Sequence, residues 1–180
     1  TARWSTVGEF VAGVEELGLR AEARHAAELS DELLAAADVI DGSHELQLNL
    51  GSKLAAPEKK VALAERLFAG KLSADALTVV SHLVANPRGR RVDVALRSAA
   101  QVAADERGTE LATVTVAAPL SSAQHDRLAR LLAESAGRSV KITTVVDPTV
   151  IGGVRIQLAD DVIDGSVRAR LDDLRQKLAG

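Results

Sequence analysis

Four histidines, His25, His44, His82 and His125, are the side chains best suited to metal binding or proton transfer, and they fall on four separate predicted helices. None forms an H-x-x-x-H pair, and the chain has no cysteine, so a zinc site would need ligands from distant segments. Two carboxylate groups stand out, Asp160/Asp161/Asp164 and Asp172/Asp173. The first lacks the ordered carbonyl and glycine pattern of a calcium loop. Asp160 and Asp161 read as flanking a turn, and Asp164 as a cap for the last helix. The second sits beside Arg168, Arg170, Arg175 and Lys177, the pattern of a solvated helix face. Gly51-Ser52-Lys53 has the look of a phosphate-loop ending, but position 46, where the upstream glycine belongs, is Leu46. There is no G-x-S-x-G. These residues predict no catalytic site, no metal and no cofactor.

Two further features are chemical without being catalytic. Arg88, Arg90 and Arg91 form the basic cluster of the chain. Nucleic-acid binding is a poor reading of it, because the pI is about 5.8 and no aromatic lies near. Salt pairing with the acidic start of the chain is the better reading: residues 1–50 carry 3 basic and 10 acidic side chains, whereas residues 51–100 carry 9 and 4. The second feature is Gly152-Gly153, inside a β-branched run that follows Asp147-Pro148. Asp-Pro initiates turns, and adjacent glycines in a strand mark a bulge or a close backbone approach.

The elements that carry these residues fall into two kinds. Apolar residues recur at helical spacing over residues 4–17 (Trp4, Val7, Phe10, Val11, Val14, Leu17) and 20–37, and a short helix runs from Ser43 to Leu50. Pro57 suits the first turn of a fourth helix with Val61, Leu67 and Phe68. Ser73 suits the N-cap of a fifth, with Leu77, Val80, Leu83 and Val84. A sixth runs from about Arg90 to Glu106, and Gly108 ends it. The period then changes. Leu111–Val116 alternates as a strand does, and Ser121 with Gln124 is a capping-box pattern opening a helix that Gly137 closes. Strands follow over Val140–Val146 and Val150–Leu158, then a last helix with Val167, Leu171, Leu174 and Leu178. The expected fold class is α+β. A six-helix bundle over residues 1–107 precedes a small α/β domain over 108–180, in the order β-α-β-β-α.

Composition fits such a pair of modules. Hydrophobic residues are 47% of the 180, but aromatics only 2%, so the core must be aliphatic and alanine-rich. No apolar run approaches the ~20 residues that span a bilayer, and no leader is visible. Direct membrane insertion is not expected.

The run Val146-Asp147-Pro148-Thr149-Val150-Ile151-Gly152-Gly153, followed by Asp161-Val162-Ile163-Asp164-Gly165-Ser166-Val167 and Leu171, Leu174 and Leu178, closely resembles the C-terminal signature of the ATP synthase delta subunit family, whose mitochondrial member is the oligomycin sensitivity conferral protein (OSCP). Asn86-Pro87-Arg88-Gly89-Arg90 sits where the family has an Asn-x-Arg turn, and Pro57–Phe68 resembles its fourth helix. The family's early tyrosine is absent here. The start at Thr1, without Met, and the Ala/Arg-rich composition fit the delta part of a fusion behind a b-type stalk segment, as in some high-GC bacteria.

The resemblance implies a non-catalytic stator subunit of the F-type ATP synthase. Such a subunit is peripheral, at the cytoplasmic face of the bacterial plasma membrane, and couples proton-driven rotation to ATP synthesis. It implies that the bundle binds N-terminal helices of the α subunits of the α/β catalytic head. It also implies that the C-terminal domain binds the b-type stalk, through the last helix and the strand before it. In the family the head-binding groove lies between the first and fifth helices. Here that implicates Val7, Phe10, Val11 and Val14 with Leu77, Val80, Leu83 and Val84, and at least half of these are expected in the bundle core. Asp147, Pro148, Gly152, Gly153, Asp164 and Gly165 are the structural signature. The residues by themselves leave open a two-module adaptor of another assembly, or a metal-dependent enzyme built on Asp160, Asp161 and Asp164.

Overall fold

A computed structural model describes residues 6–52, 54–158 and 161–167. The chain divides into two compact units, Thr1–Arg107 and Gly108–Gly180.

The first unit is helical: α1 (Val7–His25), α2 (Leu29–Asp41), α3 (His44–Gly51), α4 (Pro57–Phe68), α5 (Ala74–Ala85) and α6 (Val92–Glu106). Its caps follow the sequence. Ser43 and Ser73 accept from the backbone N–H groups of Leu46 and Ala76, and Pro57 opens α4. Ser73 is itself held, since its N–H and hydroxyl both donate to the Glu32 carboxylate, at 2.7 and 2.6 Å. The core is aliphatic, with Leu29, Leu33, Ile40, Leu50, Val80, Val84 and Leu96 fully buried. The central helix α6 packs against α1, α2, α3 and α5.

The boundaries of the first two helices differ from expectation. Helix α1 runs unbroken through Leu17-Gly18 to His25, and the break falls at Ala26–Glu28. Gly18 is exposed with open space around its Cα, so it costs helix propensity, roughly 1 kcal/mol, without ending the helix. The true break holds no glycine or proline. At Ala26 the backbone turns extended, and this frees α2 to present Leu29, Leu33 and Ile40 to the core.

In the second unit the order is β1 (Thr109–Val116), α7 (Ser122–Ala136), β2 (Ser139–Val146), β3 (Val154–Leu158) and β4 (Asp161–Asp164). The sheet order is β2-β1-β3-β4. β1 and β2 are parallel, joined through α7, and the other two pairings are antiparallel. Ala112, Val114, Val116 and Ile156 pack with Leu132 of α7 as the core of this unit. The Ser121–Gln124 capping box is formed, and Gly137 closes α7 in the left-handed conformation.

Two expectations are revised here. Residues 150–153 are not strand but the turn that enters β3. Asp161–Asp164, where no strand was expected, forms a fourth strand, and Asp164 Oδ1 accepts from the Ser166 N–H at 2.9 Å. The last helix beyond Val167, with Asp172/Asp173, lies outside the described residues, as does Asp160.

The glycine pair is where the two halves of the signature meet. Asp147 Oδ1 accepts from Thr149 N–H at 2.8 Å, and the bonds from Thr149 hold the Asp147 carboxyl below its usual range. Gly152 and Gly153 have φ of +69° and +81°. Gly152 O accepts from Val167 N–H, and Val154 O accepts from Gly165 N–H. A Cβ at position 153 would lie 2.5 Å from Gly165 O and 2.8 Å from Ser166 Cα. The left-handed backbone alone costs a side chain roughly 1–2 kcal/mol, and here rigid backbone is also in the way. Gly153→Val is therefore expected to destabilise the second unit by more than about 2 kcal/mol. Hydrogen exchange read by mass spectrometry should show faster exchange in β1 and β3 with α2 and α6 unchanged; unchanged β1 and β3 would contradict this.

Candidate functional site

Among the described residues no group of three or more His, Asp or Glu gathers as a metal would require. His25, His44, His82 and His125 lie on α1, α3, α5 and α7. Ser122, His125 and Asp126 border a hollow of about 530 Å³ in the second unit, lined also by Pro119, Leu120, Thr144 and Val146. His125 Nδ1 lies 3.4 Å from Asp126 Oδ1, but none of the described hydrogen bonds joins Ser122 to His125. A serine nucleophile needs that link to its base.

The first unit carries a groove of about 340 Å³ between α1 and α5. One wall is Val14, Glu15, Gly18, Leu19 and Glu22 of α1; the other is Thr78, Val79, His82 and Leu83 of α5; Ala99 of α6 completes the lining. Beside it α1 exposes an apolar stripe: Phe10, Val11, Val14 and Leu17 are 50%, 40%, 50% and 63% exposed. Spacing of three and four residues puts these on one side of the helix.

Not every residue singled out from sequence is available there. Val80 and Val84 are fully buried and belong to the bundle core, where they anchor α5. Leu77 is half-buried off the groove, and Leu83 shows the groove only an edge of a buried side chain. The side chain of Val7 lies outside the described residues. The wall residues missed were Gly18, Leu19 and Glu22, hidden by ending α1 too early, and Thr78, Val79 and His82, on the polar flank of the α5 stripe. For α5 the spacing of the stripe held the signal, since a groove wall lies beside the buried stripe and not on it.

Charge fixes the walls. Glu15, its side chain 17% exposed, accepts at one oxygen from His82 Nε2 at 2.8 Å, and at the other faces Arg88 Nη1 at 3.2 Å and Arg90 Nη2 at 3.8 Å. Arg88 is a non-glycine residue with positive φ, +48°, at the Asn86–Gly89 turn. On α6, Glu106 accepts from Arg24 Nε at 2.7 Å and Arg20 Nη1 at 3.2 Å. These bonds, Arg24 first, hold the Glu106 carboxyl below its usual range, and bonds to Glu16 and Glu106 raise the Arg20 guanidinium. Arg91 and Arg97 reach Asp41 and Asp38 at 2.9 and 2.7 Å. The basic segment thus pairs with the acidic first fifty residues.

The family model described as ATP synthase delta (OSCP) subunit matches residues 17–178. The chain belongs to this family. "ATP synthase subunit delta" of Leifsonia xyli subsp. xyli is 45% identical over 181 residues, covering 99% of this chain and 68% of the relative. The protein of the same name in Thermobifida fusca is 34% identical over 185 residues, covering 99% and 69%. A chain in the cryo-EM structure of the Toxoplasma gondii mitochondrial ATP synthase hexamer shares the fold at a TM-score of 0.59 and 18% identity, covering 92% of this chain and 97% of that one. As a delta/OSCP subunit the chain is a structural, peripheral-stalk component of ATP synthase. No helix among its described residues is long and apolar enough to cross a membrane.

The bonds from Arg20 and Arg24 to Glu106 tie α1 to α6 and so set the groove wall. A carboxyl whose folded pKa is lowered favours the folded state above its ordinary pKa, near 4.5, and that contribution is lost as pH falls through the lowered value. Glu106→Gln should lower the melting temperature at pH 7, and the gap to the parent chain should close in acid below the lowered pKa. A gap that persists at low pH would contradict the charge pairing.

Proposed function

We propose that this chain is the non-catalytic link between the α/β catalytic head and the b-type stalk. The helical unit takes an amphipathic N-terminal helix of an α subunit into the α1/α5 groove, and the second unit holds the stalk. The chain then resists the torque of the rotor at the cytoplasmic face of the bacterial plasma membrane. The observation that carries this is the exposed Val11/Val14/Leu17 stripe beside an open groove.

Apolar surface left on a helix this way marks a partner's seat. Helix-in-groove recognition reads anchors at i, i+3, i+4 and i+7, and Phe10, Val14 and Leu17 have that spacing. Burying the exposed half of each such side chain contributes roughly 1 kcal/mol, at about 25 cal/mol per Å². A few such anchors supply only about 3–4 kcal/mol, so the apolar face of the docked helix, buried in the same contact, has to supply the rest. A stator also has no need of chemistry at the contact; it needs a contact that does not slip.

Val14→Asp places a charge on the groove wall without touching the bundle core. It should leave the far-ultraviolet circular dichroism unchanged. It should weaken association with the isolated α/β hexamer about tenfold or more, seen as lost co-migration on native gels. Full association of this variant with the hexamer would overturn the groove assignment.

A further inference from the structure

The groove is charged differently at its two ends. At one end Glu15 is engaged by His82, Arg88 and Arg90 together, so two guanidinium groups face one carboxylate. Arg90 is the loose member, 42% exposed and 3.8 Å from its partner oxygen. Seven residues further along α1, Glu22 lines the same groove on the same face. At a rise of 1.5 Å per residue the two glutamates are about 10 Å, or two turns, apart. Glu22 is half-buried, and no ion pair or side-chain hydrogen bond satisfies it among the described residues. Apolar surface from Leu19, Val79, Leu83 and Ala99 lies with it in the groove.

We propose that Glu22 and the Arg88/Arg90 pair set the register of the docked helix, taking a basic side chain at the Glu22 end and an acidic one about two turns away at the arginine end. The inference rests on the docking reading above and adds the charge pattern of the occupant. A helix seated in this groove removes water from Glu22. An apolar or acidic residue there leaves the carboxylate desolvated and unpaired, whereas a lysine or arginine satisfies it. At the other end, the surplus guanidinium charge rewards a carboxylate and penalises a second cation. Slipping the helix by one turn brings both charges out of register while the apolar anchors still find apolar surface. The charges therefore choose among registers that the apolar groove alone would accept, which is the usual division between affinity and specificity.

The test uses the full chain and a synthetic peptide of the N-terminal segment of the α subunit from the same source, with binding read by fluorescence anisotropy at low and high salt. Glu22→Lys and Arg90→Glu should each weaken binding about three- to tenfold at low salt, the loss shrinking at high salt. Glu22→Gln should show a smaller loss. Replacing one basic residue of the peptide by Glu should weaken binding to the parent chain and restore it to Glu22→Lys. If Val14→Asp abolishes binding but Glu22→Lys and Arg90→Glu stay within twofold of the parent, the register proposal is overturned and the docking reading stands. If Val14→Asp binds the peptide as the parent does, the docking reading falls and takes this one with it.

Discussion

The small side chains of α6 are the constraint on which the helical unit depends. Ala95, Ala99, Ala100, Ala103 and Ala104 are all buried, and between them α6 meets four other helices. Close helix approach requires small residues at the contact, because interaxial distance follows side-chain size. Among the described residues Phe68 is the one buried aromatic, so the helices pack through leucine, isoleucine, valine and alanine. Ala99 lies in the groove lining for the same reason. A larger residue there would fill the groove between α1 and α5.

What apolar packing leaves undetermined, charge settles. Helix α1 buries little of its own surface apart from Ala23, and its outer face is apolar and exposed. It is held by two clusters of opposite layout. In one, a single carboxylate of α1, Glu15, gathers the His82 ring of α5 and two guanidinium groups from the turn after it. In the other, a single carboxylate of α6 gathers two arginines of α1. Exposed pairs of this kind contribute little individually. Their value is geometric: they fix where the walls of the groove stand relative to the floor. The left-handed backbone at Arg88 belongs to this arrangement, since that turn delivers Arg88 and Arg90 to Glu15.

In the second unit the decisive constraint is backbone against backbone. Gly153 lies under Gly165 and Ser166 so closely that no side chain fits, and Asp147 and Asp164 shape their turns by accepting from N–H groups two residues on. The acidic residues that looked most like chemistry in this region are turn-formers and strand residues.

The sequence by itself determined the class of the protein, its helical first part and its family. Those follow from local signals: caps at Ser43, Ser73 and Ser121, proline at position 57, the change of period near residue 108, and a signature whose glycines have no other use. Charge pairing between the acidic first fifty residues and Arg88, Arg90 and Arg91 was legible as a surplus on each side. The tertiary structure alone decided where α1 ends, that residues 161–164 form a strand, and which stripe residues are exposed. Gly18 could end a helix or ride through it, and only the packing of Ala23 and the bonds of Arg20 and Arg24 to Glu106 carry the helix onward. Val80 and Val84 share a period with Leu83 and Leu77, and periodicity names a face without naming what covers it. Glu22 was silent for the same reason. A carboxylate becomes informative only when its neighbours are known, and those neighbours come from α5 and α6, more than fifty residues away in the chain.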